Sequence, residues 1–218
     1  MQPVMVLRKV RDFGERISDT LLFLKYNWKS LFLLYAVFVV PFLLIGGYFG
    51  ANLFTNLFSQ MASGGMATPS KLFSPQLFLA MFLFILGTVS YITAVYCYMR
   101  LYEEKGGHAP TIAEVGTIYL GKFLSNMGYA LLVFVIFCVG MFVVVIPIIG
   151  ILAYLVGAFY FAVCISVLFP ANTCEDLPFG AAFSRCLHLI KTRWWFTFGY
   201  IIILSIIFSF FRIYKFFF

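Results

Sequence analysis

The sequence predicts an all-α fold, a polytopic bundle of transmembrane helices. Of its 218 residues, 63% are hydrophobic and 11% are charged, whereas charged residues make up about a quarter of ordinary globular chains. A soluble protein of this length cannot bury so much apolar surface, but a membrane protein can expose it to lipid. The apolar residues also form long runs, and a crossing of the bilayer needs about 20 residues.

One transmembrane domain, residues 1–218, is expected to contain three amphipathic helices and five spans. In chain order these are an amphipathic helix at 12–27, a span at 30–50, a loop at 51–75, a span at 77–98, an amphipathic helix at 111–124, spans at 127–146 and 151–170, an amphipathic helix at 178–192 and a last span at 194–213. Capping boxes begin the first two amphipathic helices, Asp12 with Glu15 and Thr111 with Glu114. Pro147-Ile-Ile-Gly150 is the predicted turn in the long uncharged run.

The third amphipathic helix and the last span form the most informative stretch. Apolar residues recur at spacings of three and four, at Phe179, Phe183, Cys186, Leu187 and Ile190. The other side carries Ser184, Arg185, His188 and Lys191. A basic and aromatic segment, 191–195, then leads into the span. This order predicts a helix that lies on the membrane surface, turns, and crosses.

The distribution of basic residues predicts the orientation. Segments 1–29, 100–126 and 171–193 contain six, three and three of the fifteen basic residues, and all eight acidic ones. Segment 51–75 and the turn at 147–150 contain one basic residue and none. Because cytoplasmic loops are enriched in Lys and Arg, the N-terminus is expected in the cytoplasm.

Two stretches of the chain are similar to each other. When Phe13–Phe32 is placed over Phe179–Phe198, seven of twenty positions are identical, including a Gly, a Lys and a Trp. The segment from residue 110 has the same plan with little identity. Three repeats are therefore predicted, each an amphipathic helix followed by a transmembrane hairpin, the last hairpin incomplete. A chain shortened before a sixth span is the favoured explanation, and a half-built hairpin is the alternative.

The first span contains features that affect helix packing. Pro41 is expected to kink it. Gly46 and Gly50 have the GxxxG spacing that lets another helix approach closely. Packing within the chain is the favoured interpretation, and a dimer face is the alternative.

The C-terminal stretch resembles a known family. The residues that carry the resemblance are Glu175, Pro178, Ser184, Leu187, Lys191, Trp194 and Trp195. They are similar to bacterial six-helix membrane proteins that include the membrane domain attached to some glycerophosphodiester phosphodiesterases and the related UPF0259 group. The resemblance is strongest over residues 175–211 and implies a bacterial inner-membrane protein. It implies no activity, and the catalytic phosphodiesterase domain is absent from this sequence.

Little in the sequence points to chemistry. No apolar run contains Asp, Glu, Lys, Arg or His, which argues against an ion-coupled transporter. Hydroxyl groups within the runs are expected to bond to their own helices, at Thr88, Ser90, Thr93, Ser166, Ser205 and Ser209. His188 with Cys186 and Glu175 is the weak alternative of an enzyme acting on lipid headgroups. Glu103, Glu104 and Glu114 are interpreted as a solvated face rather than a cation site.

The sequence gives no sign of a metal, a cofactor or nucleic acid. Two histidines and five cysteines without a CxxC spacing do not make a zinc site. The net charge of +7 comes from residues at the ends of apolar runs, and not from one basic face. The basic residues are better explained as contacts to anionic lipid.

The predicted function is therefore non-enzymatic. We expect a scaffold or accessory protein that engages anionic lipids of the cytoplasmic leaflet, other membrane proteins or a second copy. A permease for an amphiphilic or uncharged solute is the alternative. The expected binding surface is a collar of basic and aromatic residues, namely Arg16, Lys25, Trp28, Arg185, His188, Lys191, Arg193, Trp194 and Trp195.

Overall fold

Helices dominate the described part of the chain. The structure, a computed structural model, describes residues 12–62, 74–146, 148–191 and 194–217. The helices are α1 Phe13–Phe38, α2 Val40–Ala62, α3 Pro75–Glu104, α4 Ile112–Gly140, α5 Ile149–Ile165, α6 Leu168–Glu175, α7 Phe179–Lys191 and α8 Trp194–Phe217. A short 3-10 helix, Met141–Val145, continues α4. The predicted all-α fold is confirmed.

The helices are those of a multi-pass membrane protein. Within the described ranges, four segments are long and apolar enough to cross a membrane: Phe13–Phe38, Pro75–Glu104, Ile112–Val145 and Ile149–Glu175. A fifth crossing results if α7 and Trp194–Ile207 count as one span, with a bend of 89° between them. This bend agrees with the expected surface helix that turns into a span.

The first helix differs from its predicted boundaries. α1 is continuous from the predicted amphipathic segment 12–27 into the predicted span 30–50, and it is interrupted only at Val39. Its capping box is present, with Glu15 Oε2 accepting the Asp12 backbone N–H at 3.4 Å. Because Pro41 lacks the N–H that would bond to the carbonyl of Val37, the interruption falls just before it. Pro41 was expected to kink the first span, and in the structure the helix is interrupted at Val39.

The predicted loop 51–75 is partly helical. α2 continues to Ala62, and residues 63–73 lie outside the described part of the chain. The polar side chains did not end the helix because they bond to it. Thr55 Oγ1 donates to Ala51 O, and Ser59 Oγ donates to Asn56 O, each at 3.0 Å.

The predicted helix at 111–124 and the predicted span at 127–146 form one helix. α4 is continuous from Ile112 to Gly140 and begins with the predicted capping box, in which Glu114 accepts from Thr111 N at 2.7 Å. The predicted bounds left the polar residues Ser125 and Asn126 between the two elements. Their side chains bond to other helices instead, so the backbone ladder is not interrupted.

The fourth predicted span, 151–170, contains a break. α5 ends at Ile165, and α6 begins at Leu168 and extends to Glu175 inside the predicted polar stretch. Pro170 cannot donate to the carbonyl of Ser166, so the α-helix is interrupted four residues before the proline. The remaining predicted helices, 178–192 and 194–213, correspond to α7 and α8.

Helix α3 lies at the centre of the bundle. It contacts α1, α2, α4 and α6. Buried apolar residues form three clusters: one between α1, α3 and α4, one between α4, α6 and α7, and one between α5, α7 and α8. All lie toward the end of the bundle at which α3 and α6 finish, which we call the charged end. At the other end apolar side chains such as Phe142 and Ile149 are exposed, as lipid-facing residues are.

Helices α1 and α4 share a layout that bears on the predicted repeats. Each begins with a capping box, and each places a buried asparagine fifteen residues after its N-cap, Asn27 after Asp12 and Asn126 after Thr111. Each asparagine bonds to a residue near the charged end of a later helix, Tyr98 or Thr173. The aligned stretches 13–32 and 179–198 differ in shape, because the second is bent. The repeat plan stays a prediction.

The turn between α4 and α5 depends on close packing. Ile148 precedes α5 with φ of 62°, a value that strains a β-branched residue, and Pro147 lies outside the described residues. Gly150 is buried, and a Cβ atom added to it would lie 2.0 Å from Val143 O. A Cβ atom on Gly157, in the same helix, would meet nothing within 4 Å.

We expect Gly150→Ala to destabilise the hairpin and Gly157→Ala to leave it intact. The clash at residue 150 is with backbone, which cannot move aside, so the loss is about 1–3 kcal/mol. Thermal unfolding of both variants in mild detergent measures the difference. Equal melting temperatures for the two variants would contradict this account of the turn.

Candidate functional site

Helix α7 presents two chemically different faces, as predicted. Its buried residues are Ala182, Cys186 and Ile190, with Phe179, Phe183 and Leu187 half-buried beside them. Ser184, Arg185, His188 and Lys191 are exposed on the other face. The apolar face packs against residues of α4, α5 and α6. The helix is therefore held by the protein, and its polar face is left accessible.

The two predicted halves of the collar lie on neighbouring helices. Thr20 Oγ1 and Tyr200 OH are 2.7 Å apart, which joins α1 to α8. The ring of Phe13 meets that of Phe196 edge-on at 5.1 Å between centroids. The guanidinium of Arg16 lies 5.1 Å from the centroid of the Phe196 ring, a cation–π contact. Arg16 is therefore engaged within the protein.

Arg185 is engaged as well. Its Nε lies 2.9 Å from Glu175 Oε2, and its Nη2 donates to Glu175 Oε1 at 3.0 Å. This two-point ion pair joins the end of α6 to α7 and neutralises the arginine charge. The sequence predicts Arg185 as a headgroup or partner contact, and in the structure its guanidinium is already paired with Glu175.

The three tryptophans of the collar differ in how far they are engaged within the protein. Trp194 stacks on Phe198 at 4.9 Å between ring centroids, and its Nε1 donates to Tyr160 O at 3.4 Å. Trp195 and Trp28 are 77% and 58% exposed. Trp194 is thus a packing residue, while the other two present their rings to the surroundings.

The accessible part of the collar consists of two groups. On α1, Lys25 is exposed next to Trp28, and the Lys29 ammonium lies 5.9 Å from the Trp28 ring centroid. On α7 and α8, His188 and Lys191 are exposed and Trp195 follows. Arg193 lies outside the described residues. We call Lys25, Trp28, His188, Lys191 and Trp195 the accessible collar.

Gly46 and Gly50 have different surroundings. A Cβ atom on Gly46 would lie 3.1 Å from Leu83 Cβ, so this glycine allows α2 to pack closely on α3. A Cβ atom on Gly50 would meet nothing within 4 Å. An apolar groove of about 380 Å³ lies beside Gly46, between α2 and α3. The structure supports packing within the chain at Gly46.

Two of the residues considered for catalysis lie on different faces of α7. Cys186 is buried in the apolar face of α7, whereas His188 is exposed. The third residue, Glu175, forms the ion pair with Arg185. A nucleophile, a base and an orienting group need to lie within hydrogen-bonding reach, and this arrangement does not provide them.

Carboxylates near the end of α3 are paired with cations. Glu104 Oε1 accepts from Arg100 Nε at 3.0 Å, and Glu114 Oε1 accepts from Lys105 Nζ at 2.6 Å. Among the residues that the structure describes, no group of three metal-ligating side chains is present. Glu104 and Glu114 are exposed and ion-paired, which is compatible with their interpretation as part of a solvated face.

Most hydroxyl groups within the spans bond to their own helices, as predicted. Thr88, Thr93, Ser166, Ser205 and Ser209 each donate to a carbonyl three or four residues earlier. Ser90 is different. It is buried and bonds across helices, to Phe38 O and to the hydroxyl of Tyr119 at 2.7 Å.

A network of buried amides and hydroxyls was missed by the sequence analysis. Asn126 Nδ2 donates to Thr93 Oγ1 at 2.9 Å and to Thr173 Oγ1 at 3.0 Å. Its Oδ1 accepts from Asn172 Nδ2 at 2.7 Å, and Asn172 also bonds to Ser125. Asn126, Thr93 and Thr173 are fully buried. This amide network joins α3, α4 and α6, and every hydrogen-bonding group of the Asn126 amide is used.

A cluster of charges lies directly beside the amide network. Arg100 Nη1 lies 3.0 Å from Asp176 Oδ2, and Lys122 Nζ bonds to Asp176 Oδ1. Arg100 also pairs with Glu104. The hydrogen bond from Lys122, and then the charges of Lys122 and Arg100, hold the pKa of Asp176 below its ordinary value. We call Arg100, Glu104, Lys122 and Asp176 the charge cluster.

A signal for this region was present in the sequence. Asn126 and Asn172 each lie at an end of the long uncharged run, close to Lys122 and Asp176. They were assigned to polar segments and given no partner. Their positions on two separate helices could not be matched without knowing which helices are neighbours.

Comparison with protein-family models, curated proteins and solved structures finds no match to this chain. The resemblance to bacterial six-helix membrane proteins therefore stays an expectation, and the proposals below depend on the geometry.

We expect Asn126→Ala to destabilise the protein and Asn56→Ala, at an exposed position of α2, to have little effect. Removing the amide leaves Thr173 Oγ1 and the Asn172 amide without their buried partner, at a loss of about 1–3 kcal/mol. Thermal unfolding in detergent measures this loss. A melting temperature of the Asn126 variant equal to that of the Asn56 variant would show that the network contributes nothing.

The charge cluster predicts a dependence on pH. Because the folded protein lowers the pKa of Asp176 from 3.8, its stabilising contribution is complete above that pH and is lost as the pH falls through the folded-state pKa. Asp176→Asn removes this contribution at all pH values. Melting temperatures from pH 3 to 7 should therefore fall less steeply at the acid end for the variant, and parallel curves would exclude the pairing.

Proposed function

We propose that this chain is a non-enzymatic integral membrane protein that engages anionic lipid as a scaffold or accessory protein. The proposal places its N-terminus in the cytoplasm of a bacterium, with the protein in the inner membrane. The charge distribution along the chain supports that orientation. The binding surface is the accessible collar at the charged end.

The main observation in support is the exposure of the polar face of α7. His188 and Lys191 are exposed although the helix is firmly packed through Cys186 and Ile190. A basic face that is fixed by the protein and followed by a bend of 89° is the arrangement expected of a helix at the level where a span leaves the bilayer. Phospholipid headgroups occupy this level.

The exposed tryptophans support the same placement. Trp28 and Trp195 are exposed beside basic residues on α1 and α7, and a Trp ring favours the boundary between acyl chains and water. Basic residues near such a surface attract anionic headgroups by about 1 kcal/mol each. Two such groups on neighbouring helices would enrich anionic lipid around the charged end.

The alternatives have less support. A permease needs a polar path, and most hydroxyl groups within the spans are bonded to their own helices. An enzyme acting on headgroups needs partners for His188, and Cys186 faces the opposite way. A partner protein that covers the accessible collar remains an outcome of the test below.

Native mass spectrometry tests the proposal. The protein is placed in nanodiscs with either phosphatidylglycerol or phosphatidylcholine, released, and weighed with its retained lipid. Wild type should retain phosphatidylglycerol preferentially. Lys25→Gln with Lys191→Gln should weaken this retention roughly 10- to 30-fold, the effect of two surface lysines.

A control with the same change in charge removes two lysines that are not in the accessible collar, Lys71→Gln with Lys105→Gln; Lys71 lies outside the described residues, and Lys105 is paired with Glu114. It should retain lipid as wild type does. Equal loss in both double variants would indicate a response to net charge alone and would remove the collar from the proposal. No preference for phosphatidylglycerol in wild type, with a second protein or copy bound instead, would favour a protein partner.

A further inference from the structure

Asp176 occupies a position between two cations from different helices. One carboxylate oxygen bonds to Arg100 of α3 at 3.0 Å, and the other bonds to Lys122 of α4. A guanidinium and an ammonium that converge on two oxygens of one anion form the usual donor set for a phosphate group. The carboxylate therefore stands where two phosphate oxygens would fit.

The two cations are held independently of the carboxylate. Arg100 Nη1 also donates to Thr173 O at 3.0 Å, and Lys122 Nζ donates to Asn172 O at 3.1 Å. These carbonyls belong to the last turns of α6, which carries partial negative charge. The side chains of Asn172 and Thr173 are fixed in the amide network. The cations would keep their positions if Asp176 moved away.

Asp176 is more accessible than the two cations that it bridges. Its side chain is 55% exposed, whereas those of Arg100 and Lys122 are 27% and 18% exposed. It follows α6 in the left-handed conformation, with φ of 56°, which a residue with a Cβ atom seldom adopts.

We propose that Arg100 and Lys122 form a binding site for a phosphomonoester, and that Asp176 occupies it when no ligand is bound. A phosphomonoester carries more negative charge than one carboxylate and offers more acceptor oxygens. With Asp176 displaced, the described ion pairs leave Glu104 bound to Arg100 Nε, while Arg100 Nη1 and Lys122 Nζ lose their carboxylate partner. The site is separate from the accessible collar and does not depend on the proposed function.

The experiment measures binding of dioleoyl phosphatidate, a lipid phosphomonoester, to the full chain in detergent. Asp176→Ala should bind it about fivefold more tightly than wild type, because an exposed competing ion pair is removed. Adding Lys122→Gln should abolish the gain. Phosphatidylcholine, which lacks the monoester, should bind equally to all variants.

Asp176→Asn is a second variant that keeps the shape of the side chain, in case Asp176→Ala does not fold. A folded variant of either kind with wild-type affinity for phosphatidate would overturn the site, as would a gain that persists with Lys122→Gln. Competition by inorganic phosphate or glycerol 3-phosphate would identify a soluble ligand. Without competition, the acyl chains are part of the ligand. Failure of the collar variants would leave these outcomes unchanged.

Discussion

A buried amide inside a membrane protein has no water to bond to, and this constraint shapes the bundle. The Asn126 side chain satisfies it through α3 and α6 at once, since its partners are Thr93, Thr173 and Asn172. Any change in the relative position of these helices would leave at least one polar group unpaired in an apolar environment. The amide network therefore fixes how the three helices meet, which apolar packing alone does not do.

The amide network also positions the charged residues at the charged end. The carbonyls of Asn172 and Thr173 accept hydrogen bonds from Lys122 and Arg100, so the charge cluster is built on the amide network. The ion pair from Arg185 to Glu175 then joins α7 to the adjacent end of α6. The ion pairs and buried polar hydrogen bonds described above are concentrated at this end. The other end presents exposed apolar side chains, as a lipid-facing surface does. The binding surfaces proposed above lie where the bundle is most rigidly held.

Local features were predictable from the sequence, and contacts between distant segments were not. The capping boxes, the faces of α7 and the number of apolar runs depend on residues within one or two turns of each other. Both helix interruptions lie where Pro41 and Pro170 lack an N–H, although only the first was expected. The continuity of α4 was missed because it depends on partners that Asn126 finds about 33 and 47 residues away. The charge cluster was missed for the same reason, because Arg100, Lys122 and Asp176 are far apart in the sequence.

The packing of α7 has a consequence for how the protein is made. Its apolar face rests on three other helices, and those helices must already have assembled in the membrane before this face has anything to cover. Individual spans insert first and associate afterwards. The elbow formed by α7 and α8 therefore gains its full contact surface only after α4, α5 and α6 have associated. Until then, Cys186 and its apolar neighbours lack the surfaces that cover them in the assembled bundle.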